Sequence, residues 1–290
     1  MRQGGDAFER YRVLASAKPA APARGSVLQP ILYSPIAAWA LLDEDAGSSP
    51  TMLASVNADR VSGAYPLTRA PGTVAASADL IKQYRSPYGG ASARSLGRDN
   101  GAGGGVEAAL KLTGEVTISM RAWWNGSKSI AYPALVDVSE GWPARNGTNG
   151  LLQCFYRLYI DTAADGAIGA YHQRALGGYS YTDVGWISTL KMNPGAWTYL
   201  ALRRSAAGAY TLTRDDVHQS SGNLGNLPDP QYGTGAFNIG QWGSAQLSGS
   251  FYAGADAWLG GYADVMIWGQ RLTDAQIANQ RAVMFAVGTP

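Results

Sequence analysis

Residues 251–285 read FYAGADAWLGGYADVMIWGQRLTDAQIANQRAVMF. Gly260 and Gly261 mark a turn, and residues 262–268 form an apolar run. Thr273 followed three residues later by Gln276 is a capping box, in which the Thr hydroxyl and the Gln side chain each satisfy a backbone N–H left unpaired by the first helical turn. Asp274 falls in that turn, where the helix dipole favours a carboxylate. A buried strand is therefore expected to run directly into a short closing helix.

The rest of the chain has the composition of a β protein. Its 290 residues include 37 Gly, 16 Tyr and 9 Trp, and only 15% are charged. That length suits one large β domain or two small ones. Many turns between aromatic and β-branched runs argue for several short strands. The 23 basic and 21 acidic residues are mixed along the chain, so no basic patch of the kind that grips nucleic acid is expected. Cys154 is the sole cysteine. It rules out an internal disulfide, and within LLQCFYRLYI it reads as a small buried hydrophobe rather than a nucleophile. The first 25 residues hold no continuous apolar segment, and no run approaches the roughly 20 apolar residues a membrane helix needs. The expectation is synthesis in a cytoplasm without export by the general route, and no membrane insertion.

In chain order, residues 1–35 read as an arm: a short helix with Phe8, Tyr11 and Leu14 near one face, then the extended Ala/Pro segment KPAAPARGSVLQP. From Ile36 the text becomes apolar. Trp39, Leu41 and Leu42 are read as a first strand, 43–50 as a turn, and 106–112 as a further strand. Within TGEVTISMRAWW, Val116, Ile118, Met120, Ala122 and Trp124 alternate with Thr117, Ser119, Arg121 and Trp123, the period of a strand. Strands are also expected over 134–138, 151–160, 197–203, 209–213 and 237–241. The segment 151–160 carries large residues on both faces, which suits the middle of a sandwich.

Taken together, the acidic turn after Trp39, the TIS strand, the Trp strand with its following turn, FNIGQW and the closing strand–cap–helix resemble laminin G-like, concanavalin A-like jelly-roll domains. The resemblance runs over about residues 36–285. It implies an all-β antiparallel sandwich with the extended N-terminal arm and short C-terminal helix, and first and last strands lying together. Two positions depart from the family pattern: Asp215 and Asp216 stand where an Asn-Gly turn is usual, and Ala263 where an acidic residue commonly precedes Asp264.

Such folds include glycoside hydrolases, which set two carboxylates about 5–10 Å apart across the scissile bond. Only five Glu occur, Glu9, Glu44, Glu107, Glu115 and Glu140, and none has an acidic partner two or four residues away on a strand. His172 and His218 accompany no Gly-x-Ser-x-Gly elbow. Histidine and cysteine do not cluster for zinc. No cofactor is expected, calcium being the one metal the pattern admits, through Asp137, Asp256 and Asp264. Sugar faces stack on aromatic rings, and the loop residues Trp142, Tyr179, Tyr181, Trp186, Tyr232 and Trp242 are candidates, with Asn146, Asn149 and Asp183 as hydrogen-bonding groups. The competing reading is that these aromatics cover a sandwich edge or an oligomer interface.

The residues support three functional readings. The first is a non-enzymatic surface protein of a virion, a bacteriophage capsid decoration or tail appendage. Its arm (1–35) would bind other virion proteins, and its jelly roll (36–290) would face outward for host-surface adhesion. The second is a carbohydrate-binding module that recognises glycans through the loop aromatics. The third is a concanavalin A-like glycoside hydrolase. A non-enzymatic protein is the expectation, with a homo-oligomer and a host glycan admitted as partners and no nucleic acid.

Overall fold

The computed structural model describes residues 31–39, 56–57, 61–62, 67–69, 96–98, 110, 112–124, 126, 128, 131–139, 154–177, 180–221, 236–240, 246–247, 250–251 and 260–286. Strands β1 (Ala37–Trp39), β2 (Val56–Asn57), β3 (Leu67–Arg69) and β4 (Leu96–Arg98) precede the long β5 (Val116–Trp124). An antiparallel run follows: β6 (Ala134–Ser139), β7 (Cys154–Asp161), β8 (Ala167–Gly177) and β9 (Ser180–Lys191). Then come β10 (Trp197–Arg204), β11 (Tyr210–Arg214), β12 (Val217–Ser220), β13 (Ala236–Ile239), β14 (Gln246–Leu247), β15 (Ser250–Phe251) and β16 (Gly260–Trp268), ahead of helix α1 (Asp274–Ala286).

These strands form a six-stranded sheet, β1-β16-β5-β10-β11-β12, and an eight-stranded sheet, β2-β3-β4-β13-β6-β7-β8-β9, with β14 and β15 as a separate ribbon. The first and last strands pair as expected, Ala37 opposite Ile267 and Trp39 opposite Val265. Alternation decides what lies between the sheets. From β5, Val116, Ile118, Met120, Ala122 and Trp124 enter one core with Leu200 and Leu202 of β10, Leu158 and Ile160 of β7, and Ile168 and Ala170 of β8. Burying each such side chain contributes about 1.5–3 kcal/mol.

The opposite face of the six-stranded sheet packs under α1. Leu272, Ile277 and Met284 meet Ala38, Tyr199, Ala201, Met266 and Trp268 in a second cluster. The capping box forms as read: the Thr273 N–H donates to Gln276 Oε1 at 2.8 Å and the Gln276 N–H to Thr273 Oγ1 at 3.2 Å. Residues 31–36 clasp this layer from outside. The Leu32 N–H donates to Gln280 Oε1 at 3.1 Å, and the Trp268 indole to the Leu32 carbonyl at 3.0 Å.

Three local expectations change. Leu110 lies in a short helical turn and Leu112 in no regular element, although both side chains are core residues; the remaining residues of 106–112 lie outside those described. The stretch holding Tyr181, Asp183 and Trp186 is strand β9, not a loop, and pairs along its length with β8. Its Gly, Ser and Asp residues read locally as turn formers, but an 11- and a 12-residue strand share one ladder, and that pairing overrides weak β propensity. At the β11–β12 turn, Asp215 takes φ 53°, the left-handed region that short polar side chains tolerate. Its carboxylate accepts the Tyr199 N–H at 3.2 Å, and its own N–H donates to the Tyr199 carbonyl at 2.9 Å. The turn thus does with Asp what Asn-Gly does elsewhere.

Candidate functional site

The outward face of the eight-stranded sheet gathers groups that can hold a ligand. In β7, Leu158 and Ile160 point to the core, so Arg157 and Tyr159 point away from it. Backbone register sets Asp137 beside Arg157, Arg157 beside Tyr171, and Tyr171 beside Gly185. Arg157 Nε donates to Asp137 Oδ1 at 2.9 Å, with both side chains buried. The guanidinium also lies 5.4 Å from the centre of the Tyr171 ring, a cation–π distance.

One row along, Tyr159 is beside Gly169, and Gly169 beside Ile187. The Tyr159 ring lies over Gly169 so closely that a β-carbon there would sit 2.3 Å from Cζ. Tyr132 meets Tyr159 edge-on, centroids 6.0 Å apart. Tyr132 is 46% exposed and Ile187 45%, whereas Tyr159 is 7% exposed. Burial, reinforced by Asp161, pushes the Tyr159 hydroxyl up to about 12, so it remains a neutral donor. Tyr132 and Ile187 are the exposed ends of a row that runs through the buried Tyr159 and Gly169 and crosses three strand spacings, about 14 Å. Asp165, in the β7–β8 turn, is held by Lys128 Nζ at 2.5 Å and Lys191 Nζ at 3.7 Å. The Lys128 hydrogen bond keeps the Asp165 carboxyl below its usual range.

The other polar concentration lies between α1 and the six-stranded sheet. The register of β16 against β5 shifts between Ala263 and Met266, and Asp264 there has φ 47°. This bulge directs its carboxylate onto Arg121, an ion pair 0% and 1% exposed. Arg203 donates to the Leu272 carbonyl at 3.0 Å and pairs with Asp274 Oδ1 at 2.6 Å. His218 Nδ1 lies 2.9 Å from Thr213 Oγ1. The Arg203 hydrogen bond holds Asp274 below its usual value, and burial lowers His218 from 6.5. Both groups therefore bind protons more weakly in the folded chain than in the unfolded one. Their stabilisation is fully present above the unfolded values and is lost as pH falls through the folded ones. Thermal unfolding across pH 7 to 3 is expected to show a falling midpoint that begins just below pH 6.5. His218→Gln should flatten the upper part of that fall; an unchanged profile in this variant would remove His218 from the account.

Of the candidate residues, Asp137 and Asp264 are each engaged by an arginine, and Asp256 lies outside the described residues. Among the described residues no three metal-ligating side chains come together. Trp186 does not stand free in a loop; it is half-buried against the main core. Tyr181 and Asp183 are in β9, opposite Ala175 and Gln173. Trp142, Asn146, Asn149, Tyr179, Tyr232, Trp242 and the arm residues Phe8, Tyr11 and Leu14 fall outside the described residues. Sequence reasoning passed over Tyr132, Arg157, Tyr159, Tyr171 and Ile187. The available signal was Gly169 and Gly185 in a strand pair, since a strand glycine often marks close approach of another group.

No family model and no curated sequence matches this chain. Among solved structures, Trypanosoma rangeli sialidase with 2,3-difluorosialic acid superposes with TM-score 0.53 at 12% identity, over 89% of this chain and 34% of that one. The same sialidase with 2,3-difluoro-KDN gives TM-score 0.53 at 12% identity, over 98% and 39%. The fold is a concanavalin A-like jelly-roll sandwich. A Ruminococcus gnavus sialidase module, CBM40 bound to α2,3-sialyllactose, matches with TM-score 0.42 at 16% identity, over 60% of this chain and 85% of that one. These neighbours correct the expectation of a non-enzymatic protein. A chain whose five Glu lack an acidic partner two or four residues away on an expected strand shares its fold with sialidases, so that pattern does not exclude catalysis. The chain spans little more than a third of the sialidases' length.

Proposed function

We propose that this jelly roll is a lectin-like glycan-binding domain whose ligand lies on the outward face of the eight-stranded sheet. The observation that carries the reading is the pair Tyr132 and Ile187, each nearly half exposed, flanking the buried Tyr159 across β7, β8 and β9. The apolar face of a sugar ring stacks on such side chains, and the half-buried Tyr171 stands in the neighbouring row. Few well-placed polar groups around an apolar floor is the usual make-up of a small-ligand site. The sialidase and CBM40 neighbours are proteins of glycan chemistry, in keeping with this use of the fold.

On a glycan array the full chain should give discrete binding signals, and Tyr132→Ala should weaken them about tenfold, the equivalent of about 1.4 kcal/mol. Tyr132 is exposed, so the variant should melt within about 0.5 kcal/mol of the parent. Undiminished binding by Tyr132→Ala would place the ligand elsewhere. Hydrolysis of the bound probes is read in the same experiment by release of free sugar. The virion setting is a separate proposal that rests on the composition of residues 1–35, and neither the fold nor the neighbours add to it. Deleting that segment should abolish incorporation into particles.

A further inference from the structure

We infer that β12 is a proton-operated latch: protonation of His218 releases this edge strand and unties the two sheets along one side of the sandwich. β12 ends the six-stranded sheet as β9 ends the eight-stranded one. Gln219 Oε1 joins them, accepting the Thr189 N–H at 2.8 Å and the Thr189 hydroxyl at 3.0 Å. His218 is the next residue along the strand, so its ring leaves by the opposite face, where it meets Arg203, Thr213 and the start of α1. The strand is short and is exposed at its first and last residues. Fixed points bound it on either side, Asp215 on the Tyr199 backbone and the Ser221 N–H on the Tyr210 carbonyl at 2.9 Å. A release of β12 is therefore a local swing between two anchors, distinct from the global unfolding considered above.

Donor and acceptor roles decide why a proton works the latch. Arg203 Nη2 lies 3.3 Å from Thr213 Oγ1 and 3.3 Å from His218 Nδ1, and Thr213 Oγ1 is 2.9 Å from the same ring nitrogen. A guanidinium can only donate. The fully buried Thr213 oxygen accepts from it and passes its own O–H to His218 Nδ1. Nδ1 is thus the bare nitrogen, and the ring proton sits on Nε2, 3.8 Å from Asp274 Oδ1. A second proton on Nδ1 would set two donors 3.3 Å apart and place a positive ring against the buried Arg203. The other charged groups facing the ring are Asp274, already held by Arg203 at 2.6 Å, and Asp216, held by Arg281 at 2.7 Å. Both carboxylates favour the imidazolium, but burial and Arg203 outweigh them. Once the ring swings into water it regains its ordinary proton affinity. Each pH unit below about 6.5 then favours the released strand by up to about tenfold.

The test is amide hydrogen exchange on the full chain from about pH 7 down to about pH 5, read by NMR as protection factors so that the intrinsic pH dependence of exchange is removed. Protection of Thr189 and of the amides pairing β11 with β12 should fall about tenfold over that range, while β5 and α1 keep theirs. In His218→Gln the same amides should show no such pH dependence. A second reading needs no variant to fold well: ring-nitrogen spectra of the parent near neutral pH should show His218 neutral, with its proton on Nε2. The chain has only two histidines, so the two rings are readily told apart. Protection that ignores pH, a loss shared equally by β5 and α1, or the same loss in His218→Gln would overturn the latch. So would a His218 ring that is charged, or protonated on Nδ1, near neutral pH.

Discussion

Asp264→Ala is expected to destabilise the chain by about 3–5 kcal/mol, because Arg121 would be left in a buried layer without its countercharge. Both side chains are almost wholly removed from water beneath α1, and the Phe285 ring lies 5.7 Å from the Arg121 guanidinium. For a chain of this size that loss lowers the thermal midpoint by roughly 10 °C, which far-ultraviolet circular dichroism would record. Asp264→Asn isolates the charge. Asparagine tolerates the left-handed backbone at φ 47°, so this variant loses the ion pair without losing the turn and should fall between parent and Ala. Combining Asp264→Asn with Arg121→Met removes both charges and should recover most of the lost stability. A midpoint for Asp264→Ala within about 1 kcal/mol of the parent would show that Asp264 is not the countercharge that Arg121 depends on.

Gly169→Ala tests the site. The new methyl would sit 2.3 to 2.7 Å from three atoms of the Tyr159 ring, closer than any packed carbon. The ring must swing out, losing its edge-on contact with Tyr132. Such overpacking costs about 1–3 kcal/mol, and glycan binding should drop at least tenfold, about 1.4 kcal/mol or more, because Tyr132 loses the ring it packs against. Adding Tyr159→Ala to Gly169→Ala relieves the clash. The double variant removes the clash together with a buried ring, so it should be no more stable than Gly169→Ala and should still fail to bind. Full binding by the single Gly169→Ala variant would show that the Tyr159 ring does not position Tyr132 for the ligand.

Local sequence rules work best where the physics is itself local. The Thr273–Gln276 box is a contact between residues three apart, and it forms in the expected geometry. The alternation of β5 separates core from helix side without knowledge of any partner strand. The closing strand and its pairing with the first strand were legible from the resemblance and are present as β1 against β16. The β8–β9 hairpin was not legible as such, because its stability comes from cross-strand pairing more than from the propensity of its Gly- and Ser-containing text.

The site belonged still less to the text. Asp137 and Arg157 are 20 residues apart and meet only because β6 lies beside β7. Asp264 reads as an available carboxylate in sequence, but the bulge in β16 aims it at Arg121. Gly169 has no role in isolation and acquires one when register places it under Tyr159. The sequence by itself determined the alternating strand β5 and the capped closing helix, since periodicity and capping act within a few residues, while the antiparallel sandwich was what the family resemblance implied. Tertiary structure alone decided which carboxylates are neutralised and which aromatics pack together on one face of a sheet. Those depend on strand order and register, which bring together residues that no local spacing relates.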